Sequence, residues 1–251
     1  MKRMIPSLVI FDLDGTLTES RMPMDEEMGG LLQELLERTD IAIISGGSFE
    51  RIKTQFLDIL NHRPVNLTNL YIAPLSGGTL YTYSTDWCPV YEEKMTPEER
   101  MKIFNGFQSA FKDIGFVPEP NPVGKLIEDR EGQVTFSGLG CDAPIEKKKL
   151  WDPDRKKRMQ LKEALARYLP EFSITIGGTT SIDVSRGGVD KAYGVSKLSE
   201  YLSIPREEIV FVGDAIIEGG NDFAVTGTGV VAHPVDGPDD TKKYVRELLG
   251  Q

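Results

Sequence analysis

The sequence predicts an α/β protein, a doubly wound parallel-sheet core into which a smaller α+β domain is inserted. Three observations carry this. Short apolar runs alternate with amphipathic stretches at the start of the chain, the rhythm changes to hairpin-like pairs from about Gly78, and the first rhythm returns at Val189. The expected segments are 1–81 and 187–251 for the core and 82–186 for the insert.

Each element follows from its residues. Leu8 to Phe11 is an apolar run that ends in Asp12, and Asp25 to Arg38 carries Met28, Leu31, Leu32, Leu35 and Leu36 at helical spacing. Ile41 to Ile44 has no alternating polar residue, as expected of a strand buried on both faces. Phe49 to Leu60 is a second amphipathic helix and Tyr71 to Ala73 a third strand. Thr79 to Ser84 alternates and is rich in Thr and Tyr, with Val90 to Lys94 as its hairpin partner, both assigned to the insert. Pro97 to Ile114 is a helix opened by proline. Lys125 to Arg130 and Gln133 to Gly138 flank a Glu131-Gly132 turn, Asp154 to Tyr168 is helical, and Phe172 to Ile176 pairs with Ser181 to Ser185 around GGTT. The core resumes with the helix Ala192 to Leu202, the strand Ile209 to Val212 and the closing helix Thr241 to Leu249.

Composition excludes several classes. At 251 residues and 39% hydrophobic content, the chain can bury a sizeable core. A formal charge of −10 disfavours a nucleic-acid or anionic-membrane surface, so the expected partner is a small molecule, with no nucleic acid and no membrane. Cys88 and Cys141 lie far apart with no CxxC, as expected of thiols in a reducing compartment. The N-terminal apolar run stops at Asp12, too short for a signal peptide or a membrane span, and a cytoplasmic location is expected.

Chemistry-bearing residues collect where strands and helices of the parallel core end. FDLDGTLT delivers Asp12 and Asp14 to the end of the first strand, Ser45-Gly46-Gly47 follows the second, Lys191 opens a helix, and Asp214, Asn221 and Asp222 follow the strand IVFV. Taken singly each has a bland reading. Asp-Gly is a common turn, SGG could be only a strand-to-helix turn, and Lys191 is one lysine among many. The conjunction points to phosphoryl transfer, in which a carboxylate attacking phosphorus needs a hard cation held by oxygen ligands and donors around the moving oxygens.

In that order and spacing the four stations resemble the motifs of the haloacid dehalogenase-like (HAD) phosphotransferase superfamily, and FDLDGTLTESR, IISGGSFERI, LIEDREGQVTFSGLG, ITIGGTTSIDVSRGGVDK and FVGDAIIEGGND resemble the eukaryotic-type phosphomannomutases. The resemblance implies a HAD core with an inserted α+β cap that closes over the sugar. It makes Asp12 the nucleophile and Asp14 the general acid and base. Mg2+ would be held by Asp12, Asp214 and the Asp14 carbonyl, with Asn221 and Asp222 behind it, and the phosphoryl group by Ser45, Gly46 and Lys191. Arg21, Arg130, Ser181 and Asp183 would contact substrate. Cys141 stands where the family has a second cap arginine, and a lysine of Lys147 to Lys149, taken as Lys148, would replace a third. The run Arg155 to Arg158 reads as a solvated face. The implied reaction converts mannose 6-phosphate to mannose 1-phosphate through phospho-Asp12, with hexose 1,6-bisphosphate as activator and a homodimer formed through the cap. The alternative is a sugar-phosphate phosphatase using the same core site.

Overall fold

The computed structural model describes residues 5–62 and 65–251, so the basic N-terminal residues 1–4, part of the segment weighed above as a signal peptide, lie outside the described residues. The chain opens with β1 (Leu8–Asp12), α1 (Glu26–Leu36) and β2 (Asp40–Ile44). A helix follows in three pieces, α2 (Phe49–Ile52), a π-helical stretch (Lys53–Leu57) and α3 (Asp58–Leu60), and leads to β3 (Leu70–Ala73). The hairpin β4 (Thr79–Tyr83) and β5 (Trp87–Glu92) comes next. Then follow α4 (Pro97–Asp113), β6 (Ile127–Asp129), β7 (Gln133–Ser137), α5 (Ile145–Trp151), α6 (Lys156–Tyr168), β8 (Phe172–Gly177) and β9 (Ser181–Arg186). The chain closes with α7 (Lys191–Leu202), β10 (Ile209–Gly213), β11 (Val231–Pro234) and α8 (Pro238–Leu249).

Seven strands form one sheet in the order β11-β10-β1-β2-β3-β4-β5, parallel from β11 to β3 and antiparallel at β4 and β5. Alternate residues of β1 face opposite sides. Val9 and Phe11 pack with α1, the helix around Phe56 and α8, whereas Leu8 and Ile10 pack with Val195 and Leu198 of α7. Helices on both faces explain why the core strands read as continuous apolar runs. Successive connections run from β1 out to β2 and β3, then return to β10 on the other side of β1. The order therefore reverses between β1 and β10, and the crevice outside the C-terminal ends of those two strands is where such sheets bind ligands.

The second sheet is antiparallel, in the order β6-β7-β9-β8. Its apolar face, with Val134, Phe136, Ile182 and Val184, packs on Ile103 and Phe107 of α4 and Leu161 and Leu165 of α6. The opposite face carries Gln133, Thr135 and Ser137 of β7 and Ser181, Asp183 and Ser185 of β9, paired in register. A Thr96–Glu99 capping box starts α4, satisfying backbone donors at its first turn.

By its contacts the chain divides into Met1–Glu92 with Lys191–Gln251, and Glu93–Asp190. The sequence reading assigned the β4–β5 hairpin to the insert; the structure places it at the edge of the core sheet, because Tyr71 and Ile72 of β3 pair with Thr82 and Tyr81. Alternation of Thr and Tyr describes a half-exposed edge as well as it describes a separate small sheet. Arg155 to Arg158 is also corrected. Arg158 is buried, ion-paired to Asp152 at 2.8 Å and donating to the Gly177 and Gly178 carbonyls, so it pins the β8–β9 turn. Cys88 and Cys141 form no disulfide. Among the described residues no helix is long and apolar enough to cross a membrane.

Candidate active site

Asp12 is the last residue of β1 and is buried. The chain then folds into a tight loop in which the amides of Thr16, Leu17 and Thr18 all donate to the Leu13 carbonyl, while Gly15, at φ +89°, donates to Thr18 O. Gly15 is required twice over, by its left-handed backbone and because a Cβ there would lie 2.6 Å from Asp214 Oδ2. Asp214 directly follows β10. Its amide donates to Thr16 Oγ1 at 3.0 Å, so the loop after β1 fixes the residue after β10.

Lys191, at the first position of α7, reaches between two carboxylates. Its Nζ lies 2.7 Å from Asp12 Oδ1 and 2.5 Å from Asp222 Oδ1. All three side chains are buried. Asp222 is further held by the Ala215 amide, which donates to Oδ2 at 3.1 Å. Oxygens of Asp12, Asp214 and Asp222 all lie within 4.8 Å of one another. Burial pushes the Asp12 carboxyl well above the usual carboxylate range; Lys191 pulls it down, and Asp222 and Asp214 push it up again. Burial opposes the Lys191 charge, but Asp12 and Asp222 outweigh it and hold the ammonium above its ordinary value. Three carboxylates against one ammonium leave excess negative charge. A hard divalent cation bound by oxygens would balance it, and the donor set fits Mg2+.

Ser45 follows β2 and is buried, its Oγ accepting the Gly47 amide at 3.1 Å. Gly46 lies beside it in the same turn. Asn221 is half-buried next to Asp222.

Asp14 is organised by Arg21, a sequence-derived candidate, and by two residues to which the sequence reading gave no role. Arg51 Nη2 donates to its Oδ2 at 2.9 Å, Gln55 Nε2 to its Oδ1 at 3.2 Å, and the Arg21 amide to Oδ1 at 2.6 Å. Arg21 adopts φ 63°, a strained conformation for a side-chain-bearing residue, and that turn aims its amide at the carboxylate. Arg51 and Gln55 sit one turn apart across the junction of α2 with the π-helical stretch, and π turns are frequent at functional sites. The signals in the sequence were that Arg51 lies in the IISGGSFERI stretch and that Gln55, also polar, lies four residues on.

The second unit carries the other sequence-derived candidates. Asp183 Oδ1 accepts from Thr135 Oγ1 at 2.7 Å on the polar face of the sheet. Ser181 is directly opposite Ser137, whose buried hydroxyl has no hydrogen-bond partner among the described residues. Arg130 Nη2 contacts Glu128 at 2.6 Å. Lys148 is buried, with Nζ donating to the Cys141 carbonyl at 2.7 Å.

Comparison with known proteins agrees with this architecture. Residues 28–251 match the family model described as eukaryotic phosphomannomutase. A probable phosphomannomutase of Caenorhabditis elegans is 30% identical over 97% of this chain and 95% of its own. An IMP-nucleotidase from Plasmodium falciparum has the same fold, with a TM-score of 0.72 and 18% identity over 97% of this chain and 70% of its own. So does a haloacid dehalogenase-like hydrolase from Bacteroides thetaiotaomicron, with a TM-score of 0.64 and 16% identity over 97% and 99%.

Proposed function

The chain belongs to the eukaryotic phosphomannomutase family, and we propose that it interconverts mannose 6-phosphate and mannose 1-phosphate through a phosphoryl group carried on Asp12. The observation that carries this is the contact of buried Asp12, Lys191 and Asp222 with the exposed Asp214 beside them at the sheet's reversal point. Asp12 and Asp214, with the Asp14 carbonyl, would hold Mg2+, which neutralises charge between the attacking carboxylate and the phosphate.

In this reading an Asp12 oxygen attacks phosphorus, the bond to the sugar oxygen breaks, and Asp14 gives that oxygen a proton. In the reverse half-reaction Asp14 takes the proton from the other sugar hydroxyl as it attacks the phosphoryl group and the Asp12–phosphorus bond breaks. Lys191, Ser45 and the Gly46 amide bind the transferring oxygens. Hexose 1,6-bisphosphate, formed between the two halves, would charge resting Asp12. On the second unit Arg130, Ser181 and Asp183 would take sugar hydroxyls or phosphate, with Lys148 supplying positive charge; on the core Arg21 would contact substrate. The unpartnered buried hydroxyl of Ser137 opposite Ser181 supports a hydroxyl-rich ligand on this face. Pairing of two copies through this unit belongs to the same reading, supported by exposed Met101, Val117 and Leu150.

Brief mixing with labelled hexose phosphate and Mg2+ should leave an acid-stable, hydroxylamine-labile phosphoryl group on the protein. Asp12→Asn should carry none and turn over nothing. Full turnover by Asp12→Asn would remove the nucleophile from this account.

A further inference from the structure

The grip on Asp14 assigns work to Arg51, a residue of the IISGGSFERI stretch to which the sequence reading gave no role. Arg51 Nη2 is 2.9 Å from Asp14 Oδ2, and its Nε donates to Gln55 Oε1 at 2.9 Å, while Gln55 Nε2 donates both to Asp14 Oδ1 and to the Met22 carbonyl. Gln55 is buried, and its own carbonyl accepts the Met24 amide at 2.8 Å. One side chain thus braces the other, and both are tied to the loop that follows the β1 motif. The SGGS turn is shaped around the same arginine, because a Cβ on Gly47 would lie 3.2 Å from Arg51 Cδ.

We infer that Arg51, braced by Gln55, is the positioning residue that fixes the Asp14 carboxyl for proton transfer to and from the sugar oxygen. The inference rests on the acid and base role proposed for Asp14. A carboxyl on a short side chain in a loop has several rotamers, and a bound guanidinium together with a bound amide selects one. Proton transfer demands hydrogen-bond reach of the moving proton, so a carboxyl released from this clamp loses catalysis without losing substrate. The helix carrying the clamp packs through Ile52 and Phe56 into the core.

The test separates reactions that need the proton from one that does not. Transfer from a hexose phosphate to Asp12 expels a sugar alkoxide that must be protonated. Transfer from acetyl phosphate expels acetate, which leaves as the anion. Arg51→Met should slow phosphorylation of Asp12 by hexose bisphosphate by on the order of 100-fold, the scale of a misplaced catalytic group. Phosphorylation by acetyl phosphate should stay within about twofold, since no general acid acts in it. Arg51→Lys, which keeps stem and charge, should recover part of the loss, and Gln55→Met should give the same split in smaller measure, so the result does not hang on one variant folding. Equal losses with both donors, or no loss with either, would overturn the inference. Asp14→Asn serves as the reference: a split in Asp14→Asn that Arg51→Met and Gln55→Met lack would overturn the clamp alone, whereas no split in Asp14→Asn would overturn the role of Asp14 and the clamp with it.

Discussion

Thr16 shows how the motif works at the scale of one residue. Its hydroxyl accepts the Asp214 amide, holding a candidate metal ligand that arrives almost 200 residues later in the chain. Thr16→Val keeps the shape but strands that amide, and Mg2+ affinity should fall about 10-fold or more, the usual cost of removing a group that orients a ligand. Isothermal titration with Mg2+ measures this, and unchanged affinity would deny Thr16 the role. Asp12, Ser45 and Asp214 were legible because each interrupts an apolar strand run with a polar residue at its C-terminal end. The Arg51 clamp was not, because a polar residue on an amphipathic helix looks the same in sequence whether it meets solvent or a carboxylate. Arg158 was illegible for a related reason: charged runs are mostly solvated, and only the fold turns one member inward.

Among elements, the parallel strands β1, β2, β3 and β10 were read from continuous apolar runs, and the antiparallel ones from hairpin signals. The ownership of the β4–β5 hairpin depends on pairing with β3, a long-range fact that local alternation does not contain. Strand β11 went unread because VAHP is short, mixed and at the sheet edge. The tie between the N-terminal end of α1 and helix α8 was also invisible. There the nearly buried Lys242 ammonium lies 2.7 Å from Asp25, 3.1 Å from Glu27 and 3.3 Å from Asp239. Burial pushes the Asp25 carboxyl up, but hydrogen bonds from Lys242 and the Met28 amide hold it below its ordinary value. Glu27 is lowered by Arg246 and Lys242. Groups whose folded values are depressed stabilise the protein above their unfolded values, near about 4, and lose that stabilisation as pH falls through the folded ones. Lys242→Met should therefore lower Tm by a few degrees at pH 7, and the gap from the parent protein should shrink toward pH 3. A gap that persists in acid would assign the effect to packing.

At the scale of the whole molecule, the two-part α/β and α+β organisation was visible in the change of rhythm along the chain. The boundary moves from residue 81 to Glu92 because a sheet recruits strands by hydrogen bonding, not by periodicity. The core brings Asp12, Lys191, Asp214 and Asp222 together, and the second unit presents a polar sheet face with Ser137, Ser181 and Asp183. Whether the phosphoryl group returns to the sugar or passes to water is the point on which a mutase and a phosphatase with one core site diverge. Phosphorus NMR decides it directly. The protein is incubated with mannose 1-phosphate, Mg2+ and a trace of hexose 1,6-bisphosphate, and the sugar phosphates and inorganic phosphate are followed together. The account predicts mannose 6-phosphate with little inorganic phosphate; inorganic phosphate without the isomer would contradict it.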